Sequence, residues 1–132
     1  MEHTICKHIL NHLDIHKILS AIQHGFRFAH SCKSQLLITL QDLMQYNDNK
    51  TQVDIAILDF SKAFDTVPHN KLLYKLNYYG IRCDILNWIE VFLNQRQQSV
   101  VIDGVQSDWI HVDLGVPQGT VLGPLLFLLH IN

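Results

Sequence analysis

One stretch of this chain breaks with helical spacing, and it sets the fold class. Val53-Asp54-Ile55-Ala56-Ile57-Leu58 is short, rich in branched side chains and nearly continuous in apolarity, the pattern of a central strand covered on both faces. Elsewhere the period is helical. Ile5, Ile9, Leu10 and Leu13 predict an amphipathic helix over roughly the first fifteen residues. Leu36, Leu37, Leu40, Leu43 and Met44, at i, i+1, i+4, i+7 and i+8, recur at helical spacing and predict a second helix over 34–46 with one buried face. Leu72, Leu73, Leu76 and Tyr79 form a third stripe, ended by Gly80, a favourable left-handed cap. Asp84 is placed to cap the next helix, whose apolar face is Ile85, Leu86, Ile89, Phe92 and Leu93 with Trp88 beside it. Asp103-Gly104, between Gln98–Ile102 and Trp109–Val112, predicts a β-hairpin closed by a type I′ turn. Val121 to Ile131 reads as a buried helix, because it contains His130 and falls well short of the ~20 residues that span a bilayer. The expected fold is α/β: mostly helical, with a central strand and a β-hairpin.

With 48% hydrophobic and 17% charged residues, the 132-residue chain has enough apolar material for a core and does not have the composition of a disordered segment. Its formal net charge is -2, whereas a self-sufficient nucleic-acid binder carries a basic excess that displaces counterions from phosphate. Weak autonomous binding to nucleic acid is the expectation. Cys6, Cys32 and Cys83 are an odd number at wide spacing, which suggests neither a disulfide framework nor a zinc site. The first eight residues show no basic region followed by an apolar core. An intracellular location is therefore expected, with nucleus and cytoplasm left open, and no association with a membrane. No repeat or Gly/Ser linker divides the chain, so no independent domain boundary is placed. His8, His12 and His16 recur every four residues, but only Cys6 and Asp14 accompany them, and solvent-facing histidines account for the pattern.

Asp59 ends the apolar run. A carboxylate in that position loses solvation, which is costly unless it meets a cation or donors, and magnesium is a natural partner because it is hard and oxygen-seeking. Taken singly, Asp59 reads better as an ordinary strand-ending aspartate that caps the turn into Ser61 and Lys62. Its neighbours narrow the choice. Asp59-Phe60-Ser61-Lys62-Ala63-Phe64-Asp65 resembles motif A of reverse transcriptases, in the form typical of non-LTR retrotransposons and group II intron relatives. The resemblance implies that Asp59 binds the catalytic metals, that Phe60 adds a backbone carbonyl ligand and that Phe64 screens the sugar 2′ position. The backbone amides of Lys62 and Ala63 would face the incoming triphosphate, where consecutive N–H groups present partial positive charge.

Two further segments extend the resemblance. Gly115-Val116-Pro117-Gln118-Gly119-Thr120-Val121-Leu122-Gly123-Pro124 is a rigid turn entering an apolar helix: glycine permits close backbone approach, proline fixes the entry angle, and an amide such as Gln118 both donates and accepts. It resembles motif B, in which Gln118 and Gly119 would touch the incoming nucleotide and the template base. Gln23-His24-Gly25-Phe26-Arg27, with Ser31-Cys32 after it, resembles the fingers motif of the same enzymes over 23–32 and implies that Arg27 contacts the triphosphate. A planar, permanently charged fork suits that task. The plainer alternatives are Phe64 as a core residue, Asp65 paired with Lys62, and Arg27 as a surface arginine.

The resemblance runs from about His8 to Asn132 and implies an incomplete right-hand polymerase of the α+β palm type: fingers elements, the first palm strand, further helices and a hairpin, then motif B. Motif C, the remaining palm and the thumb are absent from these residues. The implied chemistry is RNA-directed DNA synthesis with magnesium, an RNA template, a DNA primer and a deoxynucleotide triphosphate. No Tyr-x-Asp-Asp occurs, and Asp103, Asp108 and Asp113 precede motif B, so inactivity of the isolated chain is expected. Two readings stay open: part of a retrotransposon reverse transcriptase, or a noncatalytic RNA- or protein-interaction module that keeps the fold. Arg27, Phe64 and Gln118 are expected to surround one nucleotide pocket, and an exposed apolar helix from Val121 to Leu129 is expected to favour self-association.

Overall fold

A helix that is apolar nearly throughout needs cover on most of its surface, and helix Leu122–Ile131 finds it. In the computed structural model, which describes residues 1–132, six of its ten residues are buried: Leu122, Gly123, Leu125, Leu126, Leu128 and Leu129. The elements run α1 (Glu2–Ile15), α2 (Cys32–Asp48), α3 (His69–Tyr78), α4 (Cys83–Asn94), β1 (Gln97–Gln98), β2 (Val101–Ile102), β3 (Val105–Gln106), β4 (Ile110–His111) and α5 (Leu122–Ile131). They divide into two compact units, Met1–Leu19 with Lys62–Asn132, and Ser20–Ser61. No helix is long and apolar enough to cross a membrane.

The first unit holds the core. Helix α5 packs against α1 and α3, and α3 against α4. Ile9 and Leu13, Leu72 and Leu76, and Ile89 and Leu93 come from three helical stripes and close around the α5 leucines. The expectation that α5 presents an uncovered apolar surface is thereby overturned, because α1 and α3 of the same chain pack against it and bury its leucines. Both ends of α5 are tied down. One carboxylate oxygen of Glu2 accepts from the backbone N–H groups of Val121 and Leu122 at 3.1 and 3.3 Å, satisfying donors that a helix start leaves open and placing negative charge at the positive end of its dipole. At the other end Lys75 Nζ donates to the carbonyl of His130 at 2.6 Å, the complementary arrangement for a C-terminus.

His130 has a further consequence. Its Nδ1 is buried without a hydrogen-bond partner, and burial first, then the positive charges of Lys75 and Lys71, hold its pKa below the ordinary value of 6.5. As pH falls below that value the unfolded chain takes up the proton before the folded one does, so stability declines with falling pH. Urea unfolding midpoints measured between about pH 7.5 and about pH 5 should drop in the wild-type chain and drop less in His130→Gln. An equal slope in the two proteins would remove His130 from the pH dependence.

The hairpin forms where expected. Val101 pairs with Gln106 and Ile102 with Val105, leaving Asp103 and Gly104 as a two-residue turn with φ of 51° and 82°, the doubly positive geometry of type I′. Gln97 pairs with His111 and Gln98 with Ile110. Between the two ladders, two residues on one strand oppose three on the other, which is a bulge. Helix α3 ends before Gly80, whose φ of 87° matches the expected left-handed cap. Asp84 does not cap α4: the N-cap is Arg82, without a side-chain cap bond, and Asp84 falls in the first turn. There it still faces the positive end of the dipole.

The second unit departs most from expectation. Helix α2 forms, with a reciprocal capping box between Ser31 and Ser34, yet its face is not buried: Leu36, Leu37, Leu40 and Met44 are exposed and Leu43 half-buried. Local capping and periodicity specify a helix without specifying what covers it. Residues 53–58 form no strand, and Ile57 is 90% exposed. A strand exists only where a neighbour pairs its N–H and C=O groups, and α2 is the one regular element of this unit.

Candidate functional site

The turn at Lys62–Val67 and the segment opening at Gly115 are bound to each other by backbone and side chain. Val116 N–H donates to the Phe64 carbonyl and Gly115 N–H to the Val67 carbonyl, each at 2.8 Å, and Pro68 bridges Leu114 in antiparallel fashion. Gln118 Nε2 donates to Asp65 Oδ1 at 3.0 Å. Gly115 is required at the junction: its φ is 85°, and a Cβ there would lie 2.9 Å from the Asp65 Cα and carbonyl oxygen. The loop that follows is folded on itself. Thr120 Oγ1 donates to the Pro117 carbonyl at 2.9 Å and accepts from Gly123 N–H at 3.0 Å, and a Cβ on Gly123 would collide with the Pro117 carbonyl oxygen.

A cavity of about 270 Å³ opens beside this junction, lined by Phe64, Pro117, Gln118, Gly119 and Pro124. Phe64 is stacked on Phe127 of α5, ring centroids 4.4 Å apart, so the core fixes the plane of its ring. The cavity therefore combines an aromatic ring, a donor-acceptor amide and a glycine backbone, the elements that take up a flat heterocycle or a sugar edge. A second cavity of about 510 Å³ is lined by Lys62, Asp65, Arg96, His111 and Asp113 among others. Burial lowers the pKa of Arg96 from its ordinary value, but a guanidinium stays charged at neutral pH.

Three of the residues singled out in the sequence, Phe64, Gln118 and Gly119, thus line one cavity. Lys62 is exposed with a φ of 51°, a left-handed conformation uncommon outside glycine, and Ala63 is half-buried. Both lie in the turn whose Lys62 carbonyl accepts from Asp65 and Thr66. Arg27, Asp59 and Phe60 belong to the second unit. Arg27 Nη1 donates to the Ser20 carbonyl at 2.7 Å, and Asp59 and Phe60 are exposed. No group of three or more His, Cys, Asp or Glu side chains converges to hold a metal ion.

Sequence reasoning missed two residues. His69 and Arg96 both reach the Gly115 carbonyl. The signal for His69 was present, since it lies on the stripe of Leu72, Leu73 and Leu76, where a polar residue faces the core; Arg96 gave none. The Asp65 contact with Gln118 spans 53 positions and replaces the local pairing with Lys62 as its observed bond.

The chain matches the family model for reverse transcriptase (RNA-dependent DNA polymerase) over residues 2–132. It is 35% identical over 127 residues to the RNA-directed DNA polymerase from mobile element jockey of Drosophila melanogaster, and 32% identical over 127 residues to that of Drosophila funebris. Each alignment covers 96% of this chain and 14% of the relative, so the chain spans about one-seventh of the length of these proteins. No solved structure matches. Motif order, the contact joining the two motifs and a family match over nearly every residue agree: the chain belongs to the reverse transcriptases, on the non-LTR, LINE-type retrotransposon branch.

Proposed function

We propose that the chain supplies the fingers and the first part of the palm of a retrotransposon RNA-directed DNA polymerase, and that the cavity at Phe64, Gln118 and Gly119 receives the base and sugar of the incoming deoxynucleotide. The observation that carries this is the Gln118–Asp65 bond within the backbone pairing of Phe64–Val67 to Gly115–Val116: segments 53 residues apart are held where one ligand can touch both. In this reading Arg27 and the Lys62 and Ala63 amides attend the triphosphate. Asp59 and the Phe60 carbonyl offer ligands to magnesium, the RNA template and DNA primer being further partners in the polymerase.

Titration of the isotopically labelled chain with a deoxynucleotide triphosphate and magnesium tests the assignment. Phe64, Gln118 and Gly119 signals should shift together, and Gln118→Ala should weaken binding by about tenfold, the loss of roughly 1.4 kcal/mol expected for hydrogen bonds made by one amide. Shifts confined to other surfaces, or unaltered affinity in Gln118→Ala, would reject it.

A further inference from the structure

The carbonyl of Gly115 is the meeting point of two donors from different parts of the chain. His69 Nε2 lies 2.9 Å from it and Arg96 Nη1 3.4 Å. His69, the first residue of α3, is 5% exposed and stands among the apolar core residues. A nitrogen bonded to a carbonyl carries the hydrogen, so a neutral His69 is the Nε2–H tautomer. Its Nδ1 is then an acceptor, 3.2 Å from the terminal amide of Asn94 at the end of α4. The atom of that amide nearest Nδ1 is Oδ1, and turning the amide about its terminal bond places its nitrogen there as the donor that Nδ1 takes. His69 is thus satisfied on both sides, and it links the start of α3, the end of α4 and the Gly115 turn.

The turn has particular need of such a link. Gly115 has a φ of 85° and no side chain of its own to pack, and glycine is the residue with the most backbone freedom to lose. Its N–H is held by the Val67 carbonyl, so a donor on its carbonyl clamps the peptide units on both sides of the residue. Gln118 follows three residues later, carried by the same turn. We propose that His69 is a positioning residue for the nucleotide cavity: by fixing the Gly115 carbonyl it sets the direction from which Gln118 approaches Asp65 and a bound nucleotide, with Arg96 as a weaker second hold. The role of the cavity rests on the nucleotide reading above; the anchoring of the turn does not.

Amide hydrogen exchange on the full chain separates positioning from general stability. In His69→Leu, exchange at Gly115 and Val116 should accelerate by about tenfold or more, while core amides such as Leu76 and Leu128 change by less than about twofold. In His69→Gln, whose amide nitrogen takes a place near the imidazole Nε2, exchange at Gly115 and Val116 should return to within about threefold of wild type. Affinity for a deoxynucleotide triphosphate with magnesium should fall in the leucine variant and recover in the glutamine variant. Should His69→Leu fail to fold, His69→Asn carries the same comparison, because its amide stays near Asn94 but stops short of Gly115. Uniform acceleration across all helices, no change at Gly115, or no rescue by glutamine would overturn the proposal. Absence of triphosphate binding by the wild-type chain would count against the nucleotide reading alone, and the exchange rates would still decide the anchor.

Discussion

Gly115→Ala is expected to lower unfolding free energy by about 3 kcal/mol or more, whereas Gly104→Ala should cost only about 1 kcal/mol. The two glycines share nearly the same backbone, with φ of 85° and 82°, so an alanine at either pays a similar conformational penalty. Their surroundings differ. A Cβ on Gly104 meets nothing within 4 Å, while one on Gly115 runs into the Asp65 backbone. Relief requires parting the hydrogen bonds from Gly115 and Val116 to Val67 and Phe64, which unseats Gln118 from Asp65. Chemical denaturation of both variants is the measurement, and equal costs at the two positions would show that the close approach is not what holds the junction.

A purified chain of residues 1–132 is expected to give no primer extension on an RNA template, with magnesium or with manganese. Two-metal transfer requires cations placed to activate the attacking hydroxyl and to neutralise the leaving pyrophosphate. Asp59 is one exposed carboxylate, and no cluster of three or more ligating side chains forms around it or elsewhere. The net charge of -2 adds no attraction for the duplex. Extension by the wild-type chain that disappears in Asp59→Ala would prove this reasoning wrong.

The sequence was most legible where structure is local. Helix periodicity located α1 to α4, continuous apolarity located α5, and Asp103-Gly104 located the hairpin turn, because these patterns act within a few residues. It was least legible where the partner of a segment decides its fate. The run at 53–58 has the composition of a buried strand but pairs with nothing, and the α2 stripe is periodic but uncovered. The α5 leucines were covered by Ile9, Leu72 and Leu76, residues whose stripes were visible but whose mutual packing was not. Motif resemblance singled out Arg27, Lys62, Ala63, Phe64, Gln118 and Gly119 together, and of these Phe64, Gln118 and Gly119 line one cavity. The bonds that join their segments, Gln118 to Asp65 and His69 to Gly115, span 53 and 46 positions and have no local signature.

The Glu2 contact bears on the order of events during synthesis. The carboxylate that caps α5 stands 119 and 120 positions before the amides it receives, so α1 emerges from the ribosome long before its docking partner exists. Loop closure over that distance is slow relative to helix formation. Until α5 is delivered, Ile9, Leu13, Leu72 and Leu76 lack the leucines that complete their cluster, on helices already able to form. That interval, and not the finished fold, is when the α1 and α3 leucine faces are open to chaperones and to wrong partners.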